Sequence, residues 1–351
     1  MRCVKCLVAA AALVPLAGLL IAWLGLIHVG ATGGHWAVTE WFLHWTMRSS
    51  VRTAALGIEK PAGFENATVL QVAAVHFEGG CAECHGSPGR RRSAEVLAML
   101  PPPPDLKEAV GRWTDEELFV IVRDGLRYTG MPAWPGAGRD GEVWAMVAFL
   151  KQLPEMSAAR YQTLALDGDA GSISAFSPCL SCHRSGADGG DQAIPAIAGQ
   201  SEFYLAETLR AYLSGKRESG FMEVAASNLS DPEVAAAARH FANLPAQVSA
   251  TATPSSVRDE RALSLVQTGD PVKKIAACDA CHDGRNARYP LLGGQPLSFL
   301  REQLLLFRSD RRAGSATEQL MSRAVRNLTD GDIDRLAAHY ASGPMAGTLR
   351  R

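Results

Sequence analysis

Six of the chain's eight cysteines fall into three Cys-x-x-Cys-His units: Cys81-Cys84-His85, Cys179-Cys182-His183 and Cys278-Cys281-His282. Two thiols three residues apart lie on adjacent helical turns and can bond the two vinyl groups on one edge of a haem. The histidine after the second thiol then swings beneath the iron. This is the pattern of covalent c-type haem attachment. A zinc site would need two cysteine pairs close together, or further histidines at zinc spacing. The pairs here are about 98 residues apart, each with its own histidine. The expectation is three covalently bound haem c groups, with His85, His183 and His282 as proximal iron ligands.

A methionine sulfur in the sixth position raises a haem's potential and closes its coordination sphere. Met222 is the one methionine between residues 157 and 320, and Met321 the one between 300 and 340. Each lies 39 residues after its histidine. In the first unit Met131 sits in a Thr-Gly-Met-Pro loop, 46 residues after His85, and is preferred to Met99 and Met146. Met99 follows His85 too closely, and Met146 shares helical core spacing with Phe149 and Leu150. Each proximal ring must place its other N–H on an acceptor. Pro195, Pro290 and one residue of the Pro101–Pro104 run are the expected carbonyls. His76 is read as unable to reach a distal face, and His240 and His339 as packing or surface residues. Arg91, Arg92, Arg217 and Arg311 are read chiefly as solvated charges, with haem propionates as the alternative partners.

The elements that must position these groups are helical, because no alternating strand pattern appears. A repeat is legible. Pro195…Gly199-Gln200 matches Pro290…Gly294-Gln295, and Asn228–Asp231 matches Asn327–Asp330. Each copy then runs into an alanine-rich helix ending in histidine and an aromatic residue. The first unit is a variant, with a helix over about 67–78 and a capping-box start at Thr114. Its closing helix spans 140–153 and is stopped by Pro154. The expected architecture is all-α: three tandem domains at 60–155, 170–245 and 259–342, with linkers at 156–169 and 246–258.

Composition narrows the function further. The 351 residues are 47% hydrophobic with a net charge of −1, which excludes a disordered chain and a basic nucleic-acid binder. Residues 60–250 are acidic, whereas 251–351 carry 15 basic and 11 acidic side chains. That asymmetry predicts two docking faces, with Arg308, Arg311 and Arg312 on the basic one. Leu7–Val29 is free of formal charge and follows Arg2 and Lys5. It is expected to be a transmembrane anchor over 1–30, with the N-terminus cytoplasmic and the haem domains periplasmic. A cleaved signal peptide is the rival. Residues 31–59, rich in tryptophan, are expected to lie along the outer surface of a bacterial cytoplasmic membrane. Cys3 and Cys6 are left as reduced thiols.

On these motifs residues 170–342 resemble the two-domain dihaem cytochromes c. The shared features are Cys-x-x-Cys-His, Pro…Gly-Gln, the late methionine and Asn-Leu-Ser/Thr-Asp. Residues 66–155 resemble the single class I cytochrome c domains of cbb-type oxidase subunits, through Cys81–His85 and Gly130-Met131-Pro132. Pro178, directly before Cys179, departs from the pattern and puts the first helix of that domain in question. The resemblance implies the class I fold and one-electron transfer with redox proteins: a quinol-oxidising complex, a periplasmic dehydrogenase or a terminal oxidase. No small-molecule substrate is expected. The rival is a haem enzyme, a peroxidase or sulfur-compound oxidoreductase, with one displaceable axial ligand.

Overall fold

The structure, a computed structural model, describes residues 2–27, 29–30, 32–61, 65, 67–165, 176–183, 194–246, 259–312 and 314–343. Among them the regular structure is helical. The remaining pairings are two isolated bridges, Ser87 with Arg90 and Asp270 with Ile275.

The N-terminal expectation does not hold. Helix α1 (Arg2–Trp23) stops well before Val29. Its uncharged part, from Leu7 to Trp23, rises about 25 Å at ~1.5 Å per residue, short of a hydrocarbon core of ~30 Å. Among the described residues no helix is long and apolar enough to cross a membrane. The single-pass membrane location is therefore overturned. Helix α2 (Ala37–Ala55) outruns the short tryptophan-rich segment and buries Val51. Its first half leaves Trp41 and Trp45 exposed, their rings stacked 6.2 Å apart.

The first motif is framed by α3 (Ala67–Gly80), α4 (Asp115–Asp124), α5 (Asp140–Gln152) and α6 (Ala158–Ala165). Helix α3 packs on α5 and α6, and α2 packs on α4. Thr114 and Glu117 form the expected capping box, with N–H to side-chain oxygen distances of 2.9 and 3.2 Å. Helix α5 is apolar nearly all round because it is enclosed by its neighbours: Val143 to Leu150 are all buried. It passes into a 3₁₀ turn that carries Pro154. Helix α6 occupies most of the expected first linker. Its Tyr161 is buried and donates to Glu78 at 2.6 Å. Residues 166–169 of that linker, and 247–258 of the second, lie outside the described residues.

The second motif is framed by α7 (Glu202–Leu213), α8 (Gly220–Ala226) and α9 (Asp231–Asn243). The third is framed by α10 (Glu260–Gln267), α11 (Leu297–Arg308), α12 (Ala316–Val325) and α13 (Asp330–Ser342). The repeat is visible as α7 on α9 and α11 on α13. The shared Asn-Leu-Ser/Thr-Asp pattern is a helix start: Ser230 with Glu233, and Thr329 with Asp332, form capping boxes. The shared Gly-Gln pattern is a turn. Gly199 (φ 76°) donates to Phe241 O at 3.0 Å, and Gly294 (φ 73°) to Tyr340 O at 2.9 Å. A side chain at Gly199 would meet Ala246 at 2.5 Å. Pro178 sits in the first turn of a short helix, Ser177–Cys182, where a missing N–H breaks no bond. Residues 170–175, where an earlier helix would lie, are outside the described residues.

Among the described residues three buried apolar clusters result, around Phe77 and Phe149, around Leu205 and Phe241, and around Leu265 and Ile333. Each accompanies one Cys-x-x-Cys-His unit.

Candidate functional site

Short helices carry the three motifs: Ala82–His85, Ser177–Cys182 and Asp279–His282. The histidine rings are fixed alike. His85 Nδ1 lies 3.0 Å from Pro104 O, His183 Nδ1 2.9 Å from Pro195 O, and His282 Nδ1 2.9 Å from Pro290 O. A carbonyl oxygen only accepts, so each Nδ1 carries a proton, and in the neutral ring each Nε2 keeps a lone pair. Burial holds all three histidines below their ordinary pKa, against the pull of the proline carbonyls. They are neutral and fit to bind a metal ion. The six motif cysteines form no disulfide. Burial pushes the Cys81 thiol up to about 12 and the Cys278 thiol up to about 11. Among the described residues no three histidine, cysteine, aspartate or glutamate side chains gather as a metal cluster.

One cavity of about 1170 Å³ joins the second and third motifs. Cys179, His183 and Met222 line it from one side, and Cys278, His282 and Met321 from the other. Arg217 and Arg312 also line it and are 3% and 6% exposed. Their guanidiniums lie over Tyr212 at 4.7 Å and Phe307 at 4.4 Å. Both donate to Gln303 Oε1, and Arg312 meets Glu318 at 3.1 Å. Burial raises the Tyr204 phenol, but the two guanidiniums more than offset it and bring it to about 8. Arg217 Nε and Gln303 Nε2 are buried with no protein acceptor. Two buried cations beside one carboxylate, with donors to spare, suit an anionic guest. Arg312 was expected on an exposed docking face and is instead inside this cavity. Arg308 is held by Asp330 at 2.6 Å and Leu328 O at 3.0 Å, while Arg311 stays exposed.

His85 and Met131 do not line that cavity. Met131 is half-buried in a tight loop in which Thr129 Oγ1 donates to Leu126 O at 2.7 Å and accepts from Met131 N at 3.1 Å. Its rivals are placed differently: Met146 is 1% exposed in the core, and Met99 packs against Gly130.

Sequence reasoning missed the residues that join the three parts. Gln200 and Gln295, both 3% exposed, reach across between the second and third segments. Their repeated Gly-Gln context was the available signal. Arg139 ties the first segment to the others, donating to Glu218 O at 2.9 and 2.7 Å and pairing with Glu302 at 3.3 Å. Glu142 accepts from Ser219 Oγ at 2.6 Å, Gly220 N at 2.8 Å and Trp134 Nε1 at 3.1 Å. His76 is wedged between Trp134 and Phe221, ring centroids 4.7 and 5.1 Å away. Nothing in the sequence marks these contacts.

The chain is similar in sequence to several known proteins. The family of cytochrome c oxidase, cbb3-type, subunit III matches residues 69–150. Cytochrome c4 of Pseudomonas aeruginosa is 32% identical over 168 residues, 46% of this chain and 81% of its own. The thiosulfate dehydrogenase electron acceptor of Thiomonas intermedia is 29% identical over 175 residues, 48% of this chain and 80% of its own. A solved thiosulfate dehydrogenase from Marichromatium purpuratum is 32% identical with a TM-score of 0.43. That match covers 48% of this chain and 36% of the other, so the chain spans about a third of its length. Paired motif thiols, neutral histidines seated on proline carbonyls and a relative matched over four fifths of its length agree: the chain belongs to the class I c-type cytochromes, haem proteins of electron transfer.

Proposed function

We propose that the chain carries three haem c groups and relays single electrons along them between redox proteins. Cys81 and Cys84, Cys179 and Cys182, and Cys278 and Cys281 are the attachment thiols. His85, His183 and His282 are the proximal ligands, and Met131, Met222 and Met321 the distal ones. The observation that carries the reading is the threefold recurrence of Nδ1 on a proline carbonyl at 3.0, 2.9 and 2.9 Å, directly after a cysteine pair. That arrangement leaves every Nε2 available as an oriented donor.

The residues of the shared cavity fit the group. Its walls are largely apolar, as a porphyrin face requires. The spare donors of Arg217 and Gln303 are what two propionates would take up. When bound, the haem iron supplies the one-electron change. The protein's part is to hold three neutral imidazoles, to supply a thioether for each iron and to keep water out of the enclosure.

For the electron donor we favour a sulfur-compound dehydrogenase, since the Thiomonas intermedia relative is named as acceptor for thiosulfate dehydrogenase. A quinol-oxidising complex or another dehydrogenase is the alternative donor, and a terminal oxidase the acceptor.

Mass spectrometry of the mature chain tests the count, and carbon monoxide tests the ligands. Three added haems are expected, and the reduced protein should bind no carbon monoxide. Met131→Ala, Met222→Ala and Met321→Ala should each open one haem to it. Fewer than three haems overturns the count. A carbon monoxide-reactive haem in the unaltered protein overturns the closed relay in favour of a haem enzyme.

A further inference from the structure

Pro195 and Ala196 share one peptide group. Its carbonyl oxygen accepts from His183 Nδ1 at 2.9 Å. Its N–H donates to Gln295 Oε1 at 3.0 Å. Gln295 Nε2 returns a bond to Ala196 O at 2.8 Å. The other side repeats the arrangement. The Pro290–Leu291 peptide accepts from His282 Nδ1 at 2.9 Å and donates to Gln200 Oε1 at 2.9 Å. Gln200 Nε2 returns a bond to Leu291 O at 2.8 Å. Each glutamine thus belongs to one segment and grips the peptide that seats the other segment's histidine. Both are 3% exposed, so water does not compete for these bonds.

A peptide whose N–H is donating carries more negative charge on its oxygen, because hydrogen bonds in a chain polarise one another. An imidazole N–H bonded to that oxygen is drawn toward imidazolate. Its Nε2 then becomes a stronger donor, since an outer hydrogen bond raises ligand basicity. A stronger donor favours ferric over ferrous iron.

We propose that Gln295 sets the ligand strength of His183 and Gln200 that of His282, so that each of the two haems is tuned from the opposite segment. Both glutamines are positioning residues, acting through a peptide group. The inference rests on the ligation proposed above. It goes further in making the contact between segments a determinant of potential. If the segments part, both glutamines leave together and both histidines weaken as donors.

The test uses the holoprotein, with potentials measured by spectroelectrochemistry and the two haems told apart by NMR of their axial ligands. Gln295→Leu should raise the midpoint potential of the His183 haem, by of the order of tenfold in its reduction equilibrium or about 59 mV. The His282 haem should stay in place. Gln200→Leu should do the converse. Gln295→Glu keeps an acceptor for the Ala196 N–H and should give no rise. Gln295→Asn, one carbon too short to reach, should act as the leucine variant does and serves if that variant does not fold. Shifts at the haem of the altered residue's own segment, equal shifts at both, or none overturn the proposal. Failure of the underlying ligation shows separately: in the unaltered protein the His183 ring protons would lack the displacement that a bound iron produces.

Discussion

His76 shows how a single side chain can report on an interface. Its ring is 8% exposed and its Nδ1 has no partner. Burial pulls its pKa from 6.5 to about 4. The unfolded chain therefore takes up a proton before the folded one does. Stability is full above about pH 6.5 and falls as the pH drops toward 4, by on the order of 3 kcal/mol. His76→Phe removes the titrating ring while keeping an aromatic wedge against Trp134 and Phe221. Urea unfolding at a series of pH values should show the variant gaining on the parent as the pH falls from 7 to 4. Parallel curves would refute the argument. At this scale the sequence was most legible where the signal is local: the carbonyls that seat the three motif histidines could be anticipated, Pro195 and Pro290 singly and Pro104 as one of the Pro101–Pro104 run. His76 could not, because its neighbour Phe221 is distant in sequence and no spacing rule links the two.

Among the elements, α8 carries Met222 and depends on its neighbours. Ser219 Oγ caps it by accepting from Met222 N at 3.2 Å and in turn donates to Glu142 at 2.6 Å. Helix α5 of the first segment thereby holds the start of α8 in the second. Glu142→Ala leaves Ser219 Oγ, Gly220 N and Trp134 Nε1 without their acceptor. It should cost about 2–4 kcal/mol of stability and speed amide exchange through Gly220–Ala226. Glu142→Gln keeps the acceptor and should lose less. Unchanged exchange in the alanine variant would show that α8 is held by its own segment. Capping motifs and the closing helices were readable because their signals are local. Helix α6 was not, because its eight residues look like a linker until Tyr161 is seen buried against α3. The end of α1 at Trp23 was hidden for the opposite reason: an uninterrupted apolar run says nothing about where a helix stops.

For the molecule as a whole, Arg139 is where the three segments meet. It is 6% exposed and reaches Glu218 O in the second and Glu302 in the third. Burial raises the Glu302 carboxyl, while Arg139 beside it draws it back down. Arg139→Leu should leave that glutamate buried without its cation and loosen the first segment from the other two. Small-angle scattering should then report a larger radius of gyration, with the contact between the second and third segments intact. An unchanged radius would mean that the packing around His76 and Phe221 suffices. The internal repeat announced that two segments are copies. It did not announce that they share one cavity, because a repeat fixes how each copy folds and leaves their mutual placement to side chains such as Gln200 and Gln295.

That shared cavity of about 1170 Å³ has an electrical consequence. Two redox groups in one low-dielectric enclosure feel each other's charge with little solvent between them. On the proposed occupancy, the charge left when one electron departs opposes departure of the second. Even two chemically identical centres would then discharge in separate steps. On that occupancy the pair would act as a graded two-electron capacitor, and a group at the first motif, whose His85 and Met131 do not line the enclosure, would exchange electrons independently of its state of charge.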